Sequence, residues 1–135
     1  MSTPSLSAVV AAFALAAATS AQADGLCTAP PPAPGAVVHG PVLHVFDGQT
    51  LCVALGATPD RWLPIRLTQE GSGPSSQESS ASRGALMAVA FGQDVTCRIT
   101  QVAAEAAAGV CKRRGRSLAR QARDSDAIVA GLAWR

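Results

Sequence analysis

The sequence predicts an α+β domain built on a small, strongly curved sheet, and three observations carry that prediction. Residues 37–68 hold three short apolar-alternating runs separated by turn residues. Residues 81–92 then switch to helical spacing and stop at a glycine. A further strand and a closing helix follow. The 135 residues, 48% hydrophobic and 15% charged, allow one domain and exclude a barrel enzyme or nucleotide-binding α/β fold of ordinary size.

Residues 1–23 contain no Asp, Glu, Lys or Arg. The run Leu6–Ala18 has the length of a signal-peptide apolar region, and Ala21-Gln22-Ala23 supplies a small-x-small cleavage pattern. The expected mature N-terminus is Asp24, with export to the periplasm or beyond. The missing basic residue before Leu6 departs from the usual pattern. A membrane anchor is disfavoured because the run is shorter than the ~20 residues needed to span a bilayer. Residues 24–36 are a proline-rich arm, read as extended and poorly packed, and residues 37–135 form the folded domain.

In that domain Val37–Val38 and Pro41–Phe46 make a first strand. Asp47-Gly48 signals a tight type I′ turn. Thr50–Leu55 is a second strand, and Arg61–Thr68 a third, which Pro64 places at an edge or starts late. Residues 71–76 are a loop. Ser75 and Glu78 fit a capping box for a helix through Ala81, Ala85, Leu86, Val89 and Ala90, ended by Gly92. Val95–Val102 is the fourth strand, the alanine-rich stretch after it is left unassigned, and Ser117–Gln121 is the expected fifth strand. Asp124 is expected to cap a last helix through Ile128 and Val129.

Cys27, Cys52, Cys97 and Cys111 all follow the expected cleavage site. An even number in a small exported domain predicts two disulfides, and the sequence leaves three pairings open. The preferred one joins Cys97 to Cys111 across a short loop and Cys27 to Cys52, tying the arm to the first hairpin. With no C-x-x-C and only His39 and His44, zinc is not expected. The charge is uneven. Residues 24–111 carry four basic and seven acidic side chains, whereas 112–135 carry seven and two.

The motif order resembles the staphylococcal-nuclease (thermonuclease-like) family. The segments are His44-Val-Phe-Asp-Gly-Gln-Thr-Leu51 for V-x-D-G-D-T-[VL], and Ile65-Arg-Leu67 for [IFV]-R-L. Then come Ala81–Val89 with Phe91-Gly-Gln-Asp-Val-Thr96, Arg114-Gly-Arg116 with Ser-Leu-Ala119 for Y-G-R-x-[VL]-A, and Ile128-Val-Ala-Gly-Leu-Ala133 for L-V-x-x-G-L-A. The resemblance implies a five-stranded OB-type β-barrel with one helix between strands and a C-terminal helix. It also implies metal-dependent phosphodiester hydrolysis. A calcium ion would be held by carboxylates, a glutamate would activate water, and two arginines would neutralise the phosphate.

Carried over residue by residue, Arg66 and Arg116 match the phosphate arginines, which would meet at one pocket. Asp47, Gln49 and Thr50 occupy the metal segment, but Gln49 replaces an aspartate, which weakens a calcium site. No D-x-P-E follows Arg66, so Glu70 stands as a displaced general base. The tyrosine before G-R is Arg114. Against these roles, Asp47 reads first as a turn residue and only second as a metal ligand. The aromatics Phe46, Trp62, Phe91 and Trp134 read as core, and His39 and His44 receive no role. Six basic residues between Lys112 and Arg123, with Lys112, Arg113 and Arg114 foremost, would bind polyanions at low salt. The expected function is sequence-independent binding of nucleic acid or another polyanion, with hydrolysis lost or strongly reduced. The alternatives are an active calcium-dependent endonuclease and a disulfide-stabilised envelope module that binds protein.

Overall fold

Val37–Val45 forms one continuous strand, β1, in a computed structural model that describes Ser2, Pro4 and residues 25–68, 81–103 and 106–132. The two pieces expected on either side of Gly40 are joined because each finds a different partner. Val37–Pro41 pairs with β4 (Asp94–Ala103), and Val42–Val45 pairs with β2 (Thr50–Ala54). Strand β3 (Trp62–Leu67) follows a 3-10 turn at Pro59–Arg61.

Helix α1 (Arg83–Ala90) stands between β3 and β4. It begins later than the sequence suggests because Ser82 caps it, its Oγ accepting from the Ala85 N–H at 3.1 Å. Ser75, Glu78 and Glu70 lie outside the described residues.

The fifth strand is not Ser117–Gln121 but the alanine-rich stretch, β5 (Ala106–Arg113). Alanine has low intrinsic strand preference, and tertiary context overrides it here. β5 is inserted between β4 on one side and β3 on the other, and Ala107, Gly109 and Cys111 point inward where a small side chain fits. Its antiparallel pairing with β4 and parallel pairing with β3 close a five-stranded barrel in the ring order β1-β2-β3-β5-β4. Register shifts at Val42/His44 in β1 and Ile99/Gln101 in β4 add the local bend that closure of so few strands requires.

Arg116–Ser117 survives only as a two-residue strand, β6, paired with the end of β5. Helix α2 (Leu118–Leu132) starts there, so Asp124 lies inside the helix and is not its cap. Leu118 and Ala122, one turn apart, are its buried residues and join the common core, while the helix as a whole packs chiefly against α1.

The interior is aliphatic: Val42, Val45, Leu51, Val53, Leu63, Ile65, Val95 and Ile99 are all essentially without solvent contact. Leu86 of α1 covers the end where β1 and β5 finish. The arm is better packed than its composition suggests. Thr28 and Ala29 donate N–H bonds to Pro59 and Trp62, and Ala29 joins the core. Pro64 is accommodated by direction. Leu67 N–H points to β2 and Thr68 N–H to β5, so by alternation the nitrogen of residue 64 faces β5, whose pairing begins only at Ile65. Both expected disulfides form, Cys27–Cys52 and Cys97–Cys111. Among the described residues no helix is long and apolar enough to cross a membrane.

Candidate functional site

Asp47 is occupied by its own turn. Its Oδ1 accepts from the Gln49 N–H at 2.8 Å and the Thr50 N–H at 2.7 Å, while Phe46 N–H donates to the Thr50 carbonyl at 2.9 Å. This is an aspartate-stabilised turn rather than the expected type I′ geometry, since neither Asp47 nor Gly48 has a positive φ. Gly48 is required for another reason. A Cβ there would overlap the Ala81 carbonyl oxygen, so the hairpin tip rests directly on the backbone leading into α1. That backbone is held from the other side: Ser82 N–H and Oγ donate to the Asp126 carboxylate of α2 at 2.8 and 2.9 Å. Arg83 Nε donates to the Val45 carbonyl at 3.0 Å.

Calcium takes six to eight oxygen ligands, several of them usually carboxylate. Asp47 is the single acidic group of its hairpin, with one oxygen already accepting two N–H bonds, and Gln49 and Thr50 add neutral donors only. Among the described residues no three His, Cys, Asp or Glu side chains gather to hold a metal. These residues do not fit a calcium centre.

Arg66 and Arg116 are placed apart. Arg66 is exposed on the outer face of β3, opposite Thr50 of β2 and Ala108 of β5. Arg116 stands opposite Arg113, five residues further along β5, roughly 16 Å at about 3.3 Å per residue. An odd offset also reverses the face, so the two arginines do not line one pocket. The segment expected to lead into the fifth strand instead follows it. The β5 residues on Arg66's face are Ala106, Ala108, Val110 and, toward the strand's end, Lys112.

What the structure does gather is a cationic turn. Arg114 (φ 52°) and Gly115 (φ 75°) link β5 to β6 with positive φ at both central positions, the type I′ pattern that ordinarily takes Asn-Gly. Gln121 Nε2 bonds the carbonyls on both sides of the turn, Arg113 at 3.5 Å and Arg116 at 3.2 Å. Arg113 is a structural member, donating from Nη1 to the Val89 carbonyl of α1 at 3.0 Å. Arg114, Arg116, Arg120 and Lys112 are exposed, and Arg123 is half-buried.

Ser117 begins α2, its Oγ accepting from the Arg120 N–H at 3.3 Å. A capping box carries Glu three residues after the serine; here it is Arg120, and the first turn has no acidic residue. Cations are thus concentrated at the positive end of the helix dipole, where they repel it.

The aromatics depart from expectation. Phe91 is 52% exposed and Phe46 36%, so neither is core. Trp62 is half-buried with its Nε1 donating to the Gly56 carbonyl at 3.2 Å. Trp134 lies outside the described residues. His44, assigned no role from sequence, meets Phe46 edge-on, with ring centroids 4.6 Å apart and planes at 84°. The signal was present in the strand alternation: with Val45 inward, His44 and Phe46 must face out. Compared with known proteins, the chain matches no family model and no curated protein.

Proposed function

We propose that this is an exported barrel domain that binds phosphodiester polyanions, nucleic acid foremost, with little or no hydrolysis of its own. The observation that carries the reading is the cationic turn. Arg114, Arg116 and Arg120 surround the start of a helix whose own dipole opposes them, and Arg114 holds a backbone conformation that costs a non-glycine residue roughly 1–2 kcal/mol. Unfavourable charge and backbone strain at one exposed place are both relieved or put to use by an anionic partner. The resemblance to the nuclease-like family supports phosphodiesters as that partner. The poor fit of the Asp47 hairpin to calcium supports weak or absent cleavage. The disulfides and the apolar leader support export.

The test is fluorescence anisotropy of a labelled single-stranded oligonucleotide titrated with the disulfide-bonded protein at several salt concentrations. If about four phosphates are engaged, the log–log slope is close to −3, at about −0.7 per phosphate. Replacing Arg114, Arg116 and Arg120 together by glutamine weakens binding strongly and flattens that slope. A flat titration at about 50 mM salt rejects the reading. Calcium-supplemented digestion of the same oligonucleotide gives background cleavage only. Robust cleavage abolished by Asp47→Ala or Glu70→Ala would instead establish the active-nuclease alternative.

A further inference from the structure

We infer that the outer face of β1, β2 and β3 is a nucleobase-stacking site, with Phe46 as its platform and Thr50 and Arg66 as its phosphate-facing side. The inference rests on the polyanion reading and names what that partner must carry: unpaired bases. Three registers put the residues in one row. Phe46 closes the first hairpin opposite Thr50, its N–H bonded to the Thr50 carbonyl. Thr50 is opposite Arg66, and Arg66 is opposite Ala108.

Their neighbours in sequence, Val45, Leu51, Ile65, Leu67 and Ala107, are all buried in the core, so by alternation Phe46, Thr50, Arg66 and Ala108 face out together. At about 4.8 Å per strand, Phe46 and Arg66 stand roughly 10 Å apart at Cα, with the Thr50 hydroxyl between them. A base lying on the phenyl ring therefore directs its phosphate toward a hydroxyl and a guanidinium, the two donor types that bind phosphate without reading sequence.

The platform is set before any ligand arrives. The edge-on His44 ring supports Phe46 from the preceding outward position of β1. The Asp47 turn, locked by two N–H bonds and seated on Ala81, fixes the strand end that carries the phenyl. The small side chain of Ala108 beyond Arg66 leaves the guanidinium uncrowded on that side. An aromatic of this size left part-exposed on the face that carries Arg66 has no core role, and stacking is tolerant of base identity because every base presents a π-face. Duplex nucleic acid, whose bases are already stacked on each other, gains nothing from it.

Two labelled probes of about twelve units decide the matter, an oligothymidylate and an abasic oligomer of equal phosphate number, each titrated with the disulfide-bonded protein at about 50 mM salt. The thymidylate binds more tightly than the abasic strand. Phe46→Ala lowers thymidylate affinity roughly ten-fold while leaving abasic affinity unchanged, and Arg66→Ala weakens both. Phe46→Trp retains thymidylate binding, and its emission is quenched by thymidylate but not by the abasic strand. If both probes bind alike and Phe46→Ala changes neither, or weakens both equally, the stacking site is refuted while polyanion binding stands. If neither probe binds, the polyanion reading fails and this inference fails with it.

Discussion

Arg114 occupies a position where asparagine or glycine would be easier to hold, and that makes it separable from its neighbours. Arg114→Gly removes the cost of a side chain at φ 52° and raises stability by about 1 kcal/mol, while weakening oligonucleotide binding. Arg113→Ala does the reverse. It removes the bond to the Val89 carbonyl, lowers stability by about 1 kcal/mol, and changes binding little. Chemical denaturation of both variants beside the anisotropy assay checks the pair. Two adjacent arginines, indistinguishable as letters in a basic run, differ because one lies on the inward parity of β5 and the other at the turn. The sequence revealed the density of charge but not this division, which depends on register. His44 and Phe46 were legible in principle from alternation with Val45, but counting aromatics as core hid them. The barrel fills its interior with valine, leucine and isoleucine and leaves no need for phenylalanine there.

At the scale of elements, contacts between distant segments decided what local preference could not. The first three strands, α1 and β4 were readable because each has its own periodicity and punctuation. β5 was not, because an alanine-rich strand is stabilised by the strands on both sides of it and carries little signal of its own. With the fifth barrel strand at Ala106–Arg113, Arg116 stands just after the turn that follows a barrel strand and not at the start of one, so the register separates the two arginines that the resemblance brings to one pocket. The start of α2 is masked in the sequence because Ser117 is at once the last residue of β6 and the cap of the helix. The latch joining the first hairpin, α1 and α2 was also invisible in sequence. Asp126 accepts from both the N–H and Oγ of Ser82, on the same backbone that carries the Gly48 contact. Asp126→Ala removes both bonds and destabilises the fold by about 1–3 kcal/mol. Gly48→Ala costs more, since a Cβ overlapping the Ala81 backbone oxygen cannot be relieved by rotating a side chain. Thermal unfolding that left Gly48→Ala at the wild-type midpoint would show that the hairpin tip does not rest on Ala81.

For the whole molecule, the two disulfides act at different places and predict different failures. Cys97 and Cys111 are opposite each other in the β4–β5 ladder and both lie in the core, so their bridge links strands that hydrogen bonds already join. Cys27–Cys52 links elements that little else joins. Cys52 is outward-facing on β2 yet fully buried, and Cys27 lies against it. The arm's remaining ties are the N–H bonds of Thr28 and Ala29 to Pro59 and Trp62, and further on the exchange between Gly35, Ala36 and Ile99. Chain-entropy reasoning assigns each bridge about 3 kcal/mol at these loop lengths, 25 and 14 residues. Replacing Cys97 and Cys111 by alanine therefore lowers global stability and accelerates exchange throughout the barrel. Replacing Cys27 and Cys52 by alanine also releases the arm locally. The Thr28 and Ala29 amides then exchange far faster than in the wild type, while Ile99, whose N–H is bonded to Ala36, keeps more of its protection. Hydrogen exchange at single-residue resolution separates the two outcomes. Equal loss of protection at Ala29 and Ile99 would mean that arm and barrel unfold as one unit.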